Sequence, residues 1–169
     1  DSVIADVGCG SGCVALALAE ERPSAVIHAV DASADALAVA RANGARLGKT
    51  IQWHHGDMLA PVDGPLDMVV SNPPYIPTAD IEGLMPDVQQ HEPMMALDGG
   101  PDGLDLIRRL VGDAAQKLRP GGALLFEIGS DQGASAKSLV EAHGAFGEVV
   151  VHPDYAKLDR VVSAIRLDG

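Results

Sequence analysis

The chain has 169 residues, of which 47% are hydrophobic and 21% are charged, and this composition is typical of one globular domain with a substantial core. Its 12 Lys and Arg residues against 24 Asp and Glu residues give a formal net charge of −12, which disfavours direct nucleic-acid binding and allows a cationic ligand or a basic protein partner. Because it contains no apolar stretch of about 18 residues and no signal-like start, we expect a cytoplasmic protein without a membrane span.

The first predicted strand, residues 2–7, leads into a glycine-rich turn, and an apolar helix begins directly after the turn at Cys13. This layout brings a ligand against bare backbone at a helix N-terminus. A dinucleotide-binding turn requires glycine where this chain has Cys13, so an NAD-dependent oxidoreductase is disfavoured. The candidate ligand-binding residues of this region are Asp6, Gly8, Cys9, Gly10, Ser11 and Gly12.

Cys9 and Cys13 are separated by a spacing that matches neither a redox pair nor a zinc-binding pattern. The six histidines are scattered along the chain, so we expect no metal site. Two thiols without a disulfide framework indicate a reducing compartment.

The second predicted strand, residues 25–30, is followed directly by Asp31. An acid at this place in a βαβ nucleoside site accepts hydrogen bonds from both ribose hydroxyls. The alternative is that Asp31 caps the next helix, a role for which Ser33 competes. That helix is predicted over residues 34–47, and Gly48 closes it.

The third predicted strand, residues 51–55, precedes a second acid, Asp57. A carboxylate there can accept a hydrogen bond from the exocyclic amine of adenine, and Met58 can lie against the ring with its polarizable sulfur. The alternative is a turn aspartate beside a core methionine.

The fourth predicted strand, residues 66–70, runs into the segment Ser71-Asn72-Pro73-Pro74-Tyr75. Prolines donate no ladder hydrogen bonds, so the strand stops there, and the residue before a proline is held extended. The result is either a simple proline turn or a stiff binding segment with an amide, unpaired carbonyls and an aromatic ring. Four consecutive strands thus each bring a polar element to one sheet edge, where open α/β sheets bind ligands.

A long connection over residues 76–102 opens the second half, and its length is typical of a lid or substrate loop. We expect helices over residues 104–118 and 134–143, and strands over residues 123–129, 147–152 and 160–166. The last two strands lack a helix between them and should pair antiparallel. The predicted fold is a doubly wound α/β domain with a mostly parallel seven-stranded sheet and a terminal antiparallel strand pair.

With these motifs the chain resembles the class I S-adenosylmethionine-dependent methyltransferases, which have a Rossmann-like fold. More narrowly, it is similar to the HemK-type protein-(glutamine-N5) methyltransferases that modify peptide chain release factors. The narrower resemblance is carried by His91-Glu92-Pro93, Ala96-Leu97, Gly99-Gly100-Pro101-Asp102-Gly103-Leu104, Leu118-Arg119-Pro120-Gly121-Gly122, Glu127-Ile128-Gly129, Gln132-Gly133 and Asp159-Arg160-Val161-Val162.

The chain departs from the family pattern at Met58, where an aromatic residue is usual, and at Lys157-Leu158, where Gly-Arg is usual. The family also carries an N-terminal helical domain that helps to dock the release factor. Because this chain opens inside a predicted strand, we expect residues 1–169 to be the catalytic domain without that upstream domain.

The resemblance implies S-adenosylmethionine as cofactor, S-adenosylhomocysteine as product and a peptide chain release factor as protein substrate. It implies that Asp6 and the glycine-rich turn approach the methionine part and the ribose, that Asp31 binds the ribose hydroxyls, and that Asp57 and Met58 border the adenine. It also implies that the substrate glutamine is bound by Asn72, Pro73, Pro74 and Tyr75. Catalysis is assigned to Asn72, Pro73 and Tyr75, and Asn72 also lies beside the cofactor.

The chemistry of this segment suits any planar –NH2 group. Asn72 Oδ1 and the Pro73 carbonyl can accept its two N–H bonds, and Tyr75 can stack on its plane. No general base is required before attack, so Glu127 and His91 receive no catalytic role. The N6 amine of adenine in DNA or RNA would fit equally, although the net charge of −12 favours a protein substrate.

Two further alternatives remain open from the sequence. Within the glutamine branch, the substrate could be a ribosomal protein. A non-catalytic cofactor-binding or partner-binding domain is disfavoured, because Asp6, Asp31, Asp57 and Asn72 are all intact.

Overall fold

The computed structural model describes residues 2–83 and 97–168, and in these ranges it shows one seven-stranded sheet with helices packed against it. The strands are β1 (Val3–Val7), β2 (Val26–Asp31), β3 (Gln52–His55), β4 (Leu66–Ser71), β5 (Leu118–Glu127), β6 (Phe146–Pro153) and β7 (Asp159–Arg166). The α-helices are α1 (Cys13–Glu21), α2 (Ala34–Leu47), α3 (Asp105–Lys117) and α4 (Gly133–His143), and a 3₁₀ helix spans Thr78–Gly83. The motif His91-Glu92-Pro93 and Ala96 lie outside the described residues.

The strand order is β3-β2-β1-β4-β5-β7-β6. Strands β1 to β5 pair in parallel, whereas β7 runs antiparallel to both β5 and β6. The predicted α/β fold with a terminal antiparallel pair is therefore confirmed. Because the chain first builds outward from β1 to β3 and then returns to place β4 on the other side of β1, the topological switch point lies between β1 and β4. Open α/β sheets bind their ligands at this point.

Two buried clusters hold the helices to the sheet. One contains Ile107 and Leu110 of α3 together with sheet residues such as Leu124, and the other joins α1 and α2 to the sheet through Leu16 and Leu37. Burial of a large aliphatic side chain contributes about 2 kcal/mol, so these contacts dominate the attachment of the helices. In the described part of the chain, no helix has the length and apolarity needed to span a membrane.

Local signals predicted most element boundaries. Helix α2 matches its predicted range because Ser33 accepts a hydrogen bond from the Ala36 backbone N–H at its start, and Gly48 ends it with φ +64°. Helices α3 and α4 each differ from the expected range by one residue at an end or both ends. Neither α3 nor α4 has a side-chain cap at its start, and both were recognised from the spacing of their apolar residues.

The predicted start of β5 is wrong, because the strand begins at Leu118 and not at residue 123. Leu66 pairs with Leu118 while Met68 pairs with Ala123, so residues 119–122 bulge out of the ladder. Gly121 has φ +76° in this bulge, and Arg119 forms an ion pair with Asp67. The Pro-Gly-Gly sequence thus marks a bulge inside the strand, not a loop before it.

Candidate functional site

The register of the sheet brings the predicted strand-end residues into one row. Four residues lie side by side at the ends of neighbouring strands, namely Val30, Val7, Ser71 and Phe126. The residues that follow them are Asp31, Gly8, Asn72 and Glu127. Because neighbouring strands lie about 4.8 Å apart, a ligand that bridges β2 and β4 must span about 10 Å. The structure therefore places Asp31, Gly8 and Asn72 along one edge, as the sequence predicted, and adds Glu127, which the sequence analysis had not included.

The glycine-rich turn leaves open space above its backbone. Gly8 has φ +69° and Gly10 has φ +54°, and a Cβ atom added at either would meet no protein atom within 4 Å. Gly12 differs, because a Cβ there would lie 3.0 Å from the Trp53 ring. Gly8 and Gly10 thus form an open cradle for a ligand, whereas Gly12 permits close packing of the helix start on β3.

Hydrogen bonds inside the turn fix its shape. The backbone N–H groups of Gly8 and Cys9 both donate to the Val30 carbonyl, at 2.9 and 3.0 Å, and the Gly12 N–H donates to the Cys9 carbonyl at 2.8 Å. The Cys9 side chain lies in the core, and burial, with the neighbouring Asp6 and Asp31, raises the pKa of its thiol to about 12. Cys9 therefore shapes the turn through its backbone, while the side chain of Ser11 is exposed.

Asp6 lies beneath this turn at the start of α1. Its side chain is 1% exposed, and Oδ2 accepts a hydrogen bond from the Ala15 backbone N–H at 2.9 Å. Burial raises the pKa of the Asp6 carboxyl to about 7, the Ala15 hydrogen bond opposes that rise, and the charge of Asp31 adds to it. The cradle thus has an acid below it whose charge changes near neutral pH.

Asp31 connects the turn to the start of α2. Its Oδ2 accepts from the Gly10 backbone N–H at 2.8 Å and its Oδ1 from the Ser33 backbone N–H at 2.8 Å. Ser33, not Asp31, is the N-cap of α2. Since each carboxylate oxygen has a second acceptor position, Asp31 can still accept hydrogen bonds from two hydroxyl groups.

Asp57 and Met58 both have protein contacts. The exposed Asp57 carboxylate forms an ion pair with Arg109 of α3, a partner that the sequence did not reveal. Met58 has φ +50° and packs half-buried against the main core cluster. The Gly56 backbone N–H donates to the Asp31 carbonyl at 3.0 Å and so keeps this turn beside the cradle. That Asp57 and Met58 border an adenine stays a prediction.

The Asn72 side chain is exposed at the end of β4, and none of the described residues forms a hydrogen bond with it or with the Pro73 carbonyl. Pro73 is buried and Pro74 half-buried, so the backbone behind Asn72 is stiff and packed. The exposed Asn72 amide at the switch point can thus accept a hydrogen bond from a ligand, and the Pro73 carbonyl next to it has no partner among the described residues.

Tyr75 is held by its hydroxyl group. Its Oη donates a hydrogen bond to Glu127 Oε1 at 3.1 Å. Burial and the Glu127 carboxylate raise the pKa of the Tyr75 phenol above its ordinary value. The phenol therefore stays neutral at physiological pH and acts as a hydrogen-bond donor to Glu127, not as a base.

A short parallel bridge ties the residues after Tyr75 to the segment that precedes α3. The Ile76 backbone N–H donates to the Leu97 carbonyl at 3.1 Å, and the Gly99 N–H donates to the Ile76 carbonyl at 2.8 Å. The Thr78 hydroxyl donates to Asp98 Oδ1 at 2.7 Å. Part of the motif that distinguishes the narrower resemblance thus packs directly behind the Asn72–Tyr75 segment.

Sequence reasoning missed two side chains that contact Tyr75. Glu127 received no role, yet it holds the phenol, and Gln132 was noted only within a motif, yet its Nε2 donates to the Tyr75 carbonyl at 2.8 Å. The available signal was a glutamine at the start of a helix, where Ser, Thr, Asp or Asn would be usual. Within the described residues, no three His, Cys, Asp or Glu side chains are placed to hold a metal ion.

Sequence comparison finds relatives of this chain over nearly all of its length. Residues 1–85 match the family model of the methyltransferase small domain. A curated relative from Moorella thermoacetica, named release factor glutamine methyltransferase, is 52% identical over 96% of this chain and 58% of its own length. A relative of the same name from Gloeobacter violaceus is 46% identical over 94% of this chain and 57% of its own length. The chain therefore spans little more than half the length of these relatives.

Solved structures share the fold at low sequence identity. A methyltransferase from Pyrococcus furiosus superposes with a TM-score of 0.72 at 16% identity, covering 99% of this chain and 76% of that one. At this identity the likeness concerns the arrangement of strands and helices.

Proposed function

The chain belongs to the methyltransferase small domain family, and on that premise we propose that it transfers a methyl group from S-adenosylmethionine to the side-chain amide nitrogen of a glutamine. The substrate we propose is the glutamine of the Gly-Gly-Gln motif in peptide chain release factors, which places the reaction in the cytoplasm. The name shared by the relatives supports this substrate. The observation that carries the reaction is the exposed Asn72 side chain, which forms no hydrogen bond with any of the described residues and lies beside the open glycine cradle.

The residues present fit S-adenosylmethionine, the methyl donor of this family. Gly8 and Gly10 leave room for a ligand against the backbone, and Asp31 keeps free acceptor positions for the two ribose hydroxyls. Asp31 beside the cradle, and the Asp6 carboxyl below it once its proton is lost, favour a cationic ligand. When bound, this cofactor supplies a methyl group on a positively charged sulfonium.

Asn72 and Pro73 orient the substrate amide. An amide nitrogen is a poor nucleophile, because its lone pair is delocalised into the carbonyl group. When Asn72 Oδ1 and the Pro73 carbonyl accept its two N–H bonds, the π face of the nitrogen is fixed toward the neighbouring cradle. As the nitrogen gains positive character, both acceptors bind its protons more strongly, and this stabilises the transition state.

Tyr75 provides a surface for the amide and takes no proton from it. Its neutral phenol is engaged with Glu127, so its ring is available to stack on a planar amide. The alkylated amide is strongly acidic and loses its proton to water after transfer. We therefore assign no general base to this site.

An exchange of Asn72 tests the proposal. We expect Asn72→Ala to lower kcat for methylation of a release factor by at least about 100-fold, because an acceptor aimed at developing charge contributes on this scale. Affinity for S-adenosylhomocysteine, measured by calorimetry, should change by less than about threefold. Asn72→Asp keeps an acceptor oxygen of nearly the same shape and should retain more activity than Asn72→Ala. Near wild-type turnover in Asn72→Ala would show that the segment does not bind the reacting group.

A further inference from the structure

Gln132 lies at the start of α4, and its side chain makes no hydrogen bond to that helix. It is 7% exposed and reaches three other segments. Its Oε1 accepts from the Gly129 backbone N–H at 2.8 Å, after β5. Its Nε2 donates to the Tyr75 carbonyl at 2.8 Å, after β4, and lies 3.5 Å from the Gly103 carbonyl, before α3. One buried amide thus joins the chain segments that follow β4, precede α3 and follow β5.

Two glycines lie close against this amide. A Cβ atom at Gly103, which has φ +74°, would lie 2.4 Å from Gln132 Nε2 and 2.3 Å from the Tyr75 carbonyl oxygen. A Cβ at Gly129 would lie 3.1 Å from Gln132 Oε1. Glycine at both positions therefore lets the backbones approach the Gln132 amide closely.

Both ends of Tyr75 are held, one by the last residue of β5 and the other by the N-cap residue of α4. Glu127 accepts the hydrogen bond from the phenol, and Gln132 donates to the carbonyl. A hydrogen bond to the phenol alone fixes the ring but lets the Tyr75 backbone turn relative to it. Hydrogen bonds to both the phenol and the carbonyl also fix the position of the backbone. Two prolines separate Tyr75 from Asn72, so a displacement of the Tyr75 carbonyl is transmitted along a stiff chain.

We propose that Gln132 is a positioning residue of the methyl-transfer site, which sets the placement of Asn72 and the Pro73 carbonyl by anchoring the Tyr75 backbone. This inference rests on the proposed function, because Asn72 and Pro73 are the acceptors of the substrate amide. Displacing reacting groups by about 1 Å lowers the rate about 100-fold, so one lost anchor acts chiefly on kcat. The cradle and Asp31 lie on other strands, and cofactor binding is unaffected.

Two variants separate the hydrogen bond that Gln132 Oε1 accepts from the one that Gln132 Nε2 donates. Gln132→Met removes both hydrogen bonds in a side chain of similar length. Gln132→Glu keeps an acceptor for the Gly129 N–H and replaces the donor to the Tyr75 carbonyl. If anchoring of Tyr75 is the function, both variants lose kcat by at least about tenfold, whereas S-adenosylhomocysteine affinity stays within about twofold. Gln116→Glu, at an exposed position of α3, is the matched control and should retain wild-type kinetics.

Hydrogen exchange of this chain gives a readout that does not depend on activity. The Ile76 and Thr78 N–H groups bond to the segment before α3, so both should exchange at least several-fold faster in the two variants. The amide of Val69, buried in the centre of β4, should be unchanged. Faster exchange confined to the segment after Asn72 supports the anchor, and unchanged exchange overturns it.

The outcomes distinguish the two claims. If the wild-type protein is active and kcat is unaltered in both variants, the role of Gln132 is overturned and the proposed function stands. An inactive wild type overturns the proposed function, and the exchange rates of Ile76 and Thr78 then decide whether Gln132 anchors the segment. Loss of protection at Val69 in both variants would assign Gln132 to general stability and would also overturn the inference. If Gln132→Met unfolds and Gln132→Glu does not, the kcat and the hydrogen exchange of Gln132→Glu alone decide the role of Gln132.

Discussion

Asp6 is a buried acid beneath the glycine cradle, where we propose that a charged ligand binds. It is held beneath the glycine-rich turn with one oxygen on the Ala15 N–H, and burial raises its pKa to about 7 from an ordinary value of 3.8. Near neutral pH the carboxyl is therefore partly protonated in the free protein. A cationic ligand above the turn would favour its ionised form, so ligand binding and release of a proton are coupled.

The raised pKa of Asp6 predicts a specific dependence of stability on pH. An acid whose folded pKa lies above its unfolded value contributes stability that is complete below 3.8 and is lost as the pH rises through about 7. Asp6→Asn cannot ionise, so its free energy of unfolding should rise relative to wild type between pH 4 and 8, by up to about 4 kcal/mol. Urea unfolding of both proteins without ligand, at a series of pH values, measures this difference. A difference that is constant with pH would contradict the assignment.

At the residue scale, the sequence revealed Asp31 and Asn72, which stand directly after strands, and missed contacts between residues far apart in the chain. Asp31 and Asn72 could be predicted because a strand-end position is visible in the local pattern. The ion pair between Asp57 and Arg109 and the contact of Gln132 with Tyr75 join residues far apart in the chain. No local pattern specifies such a contact, because it depends on how α3 and α4 pack.

The glycine-rich turn has residues with positive φ and open space next to its backbone. Alanine substitutions can separate the effect of backbone strain from the effect of filling that space. Gly10 and Gly48 both have positive φ and both have no atom within 4 Å of an added Cβ. Gly10 faces the cradle, whereas Gly48 ends α2. An alanine costs about 1 kcal/mol of backbone strain at either position, but it obstructs the cradle only at Gly10.

We therefore expect Gly10→Ala to weaken S-adenosylhomocysteine binding by at least about tenfold, while Gly48→Ala leaves binding within about twofold of wild type. Both variants should lose a similar amount of stability in thermal unfolding. Calorimetric titration of the two variants and the wild type measures the binding effect. Equal weakening in both variants would mean that backbone strain, not occupation of the cradle, determines affinity.

At the scale of elements, a boundary was predictable wherever the end of a helix or strand carried its own sequence signal. Helix α2 has a serine cap and a closing glycine, and its range was predicted correctly. The start of β5 was not, because the Pro-Gly-Gly sequence that usually indicates a turn here forms a bulge held to β4 by Arg119 and Asp67. Tertiary pairing overrode the local signal at that position.

For the whole molecule, the alternation of strands and helices sufficed to predict a sheet whose carboxyl edge carries the site. The observed order places β1 and β4 together and so brings the glycine cradle beside Asn72. The sequence could not provide the register, which aligns Asp31, Gly8, Asn72 and Glu127 in one row. This row sets the position of Asn72 relative to the glycine cradle and Asp31.

The central claim is that the planar –NH2 group held by Asn72 belongs to a glutamine. The most direct test offers this chain a release factor with its Gly-Gly-Gln motif and a single-stranded adenine-containing oligonucleotide together, with methyl-labelled S-adenosylmethionine as donor. A release factor with Glu in place of that Gln is the control. We expect label only on the intact release factor, located by mass spectrometry on the glutamine side-chain nitrogen. Label on the oligonucleotide, or equal label on the control, would contradict the assignment.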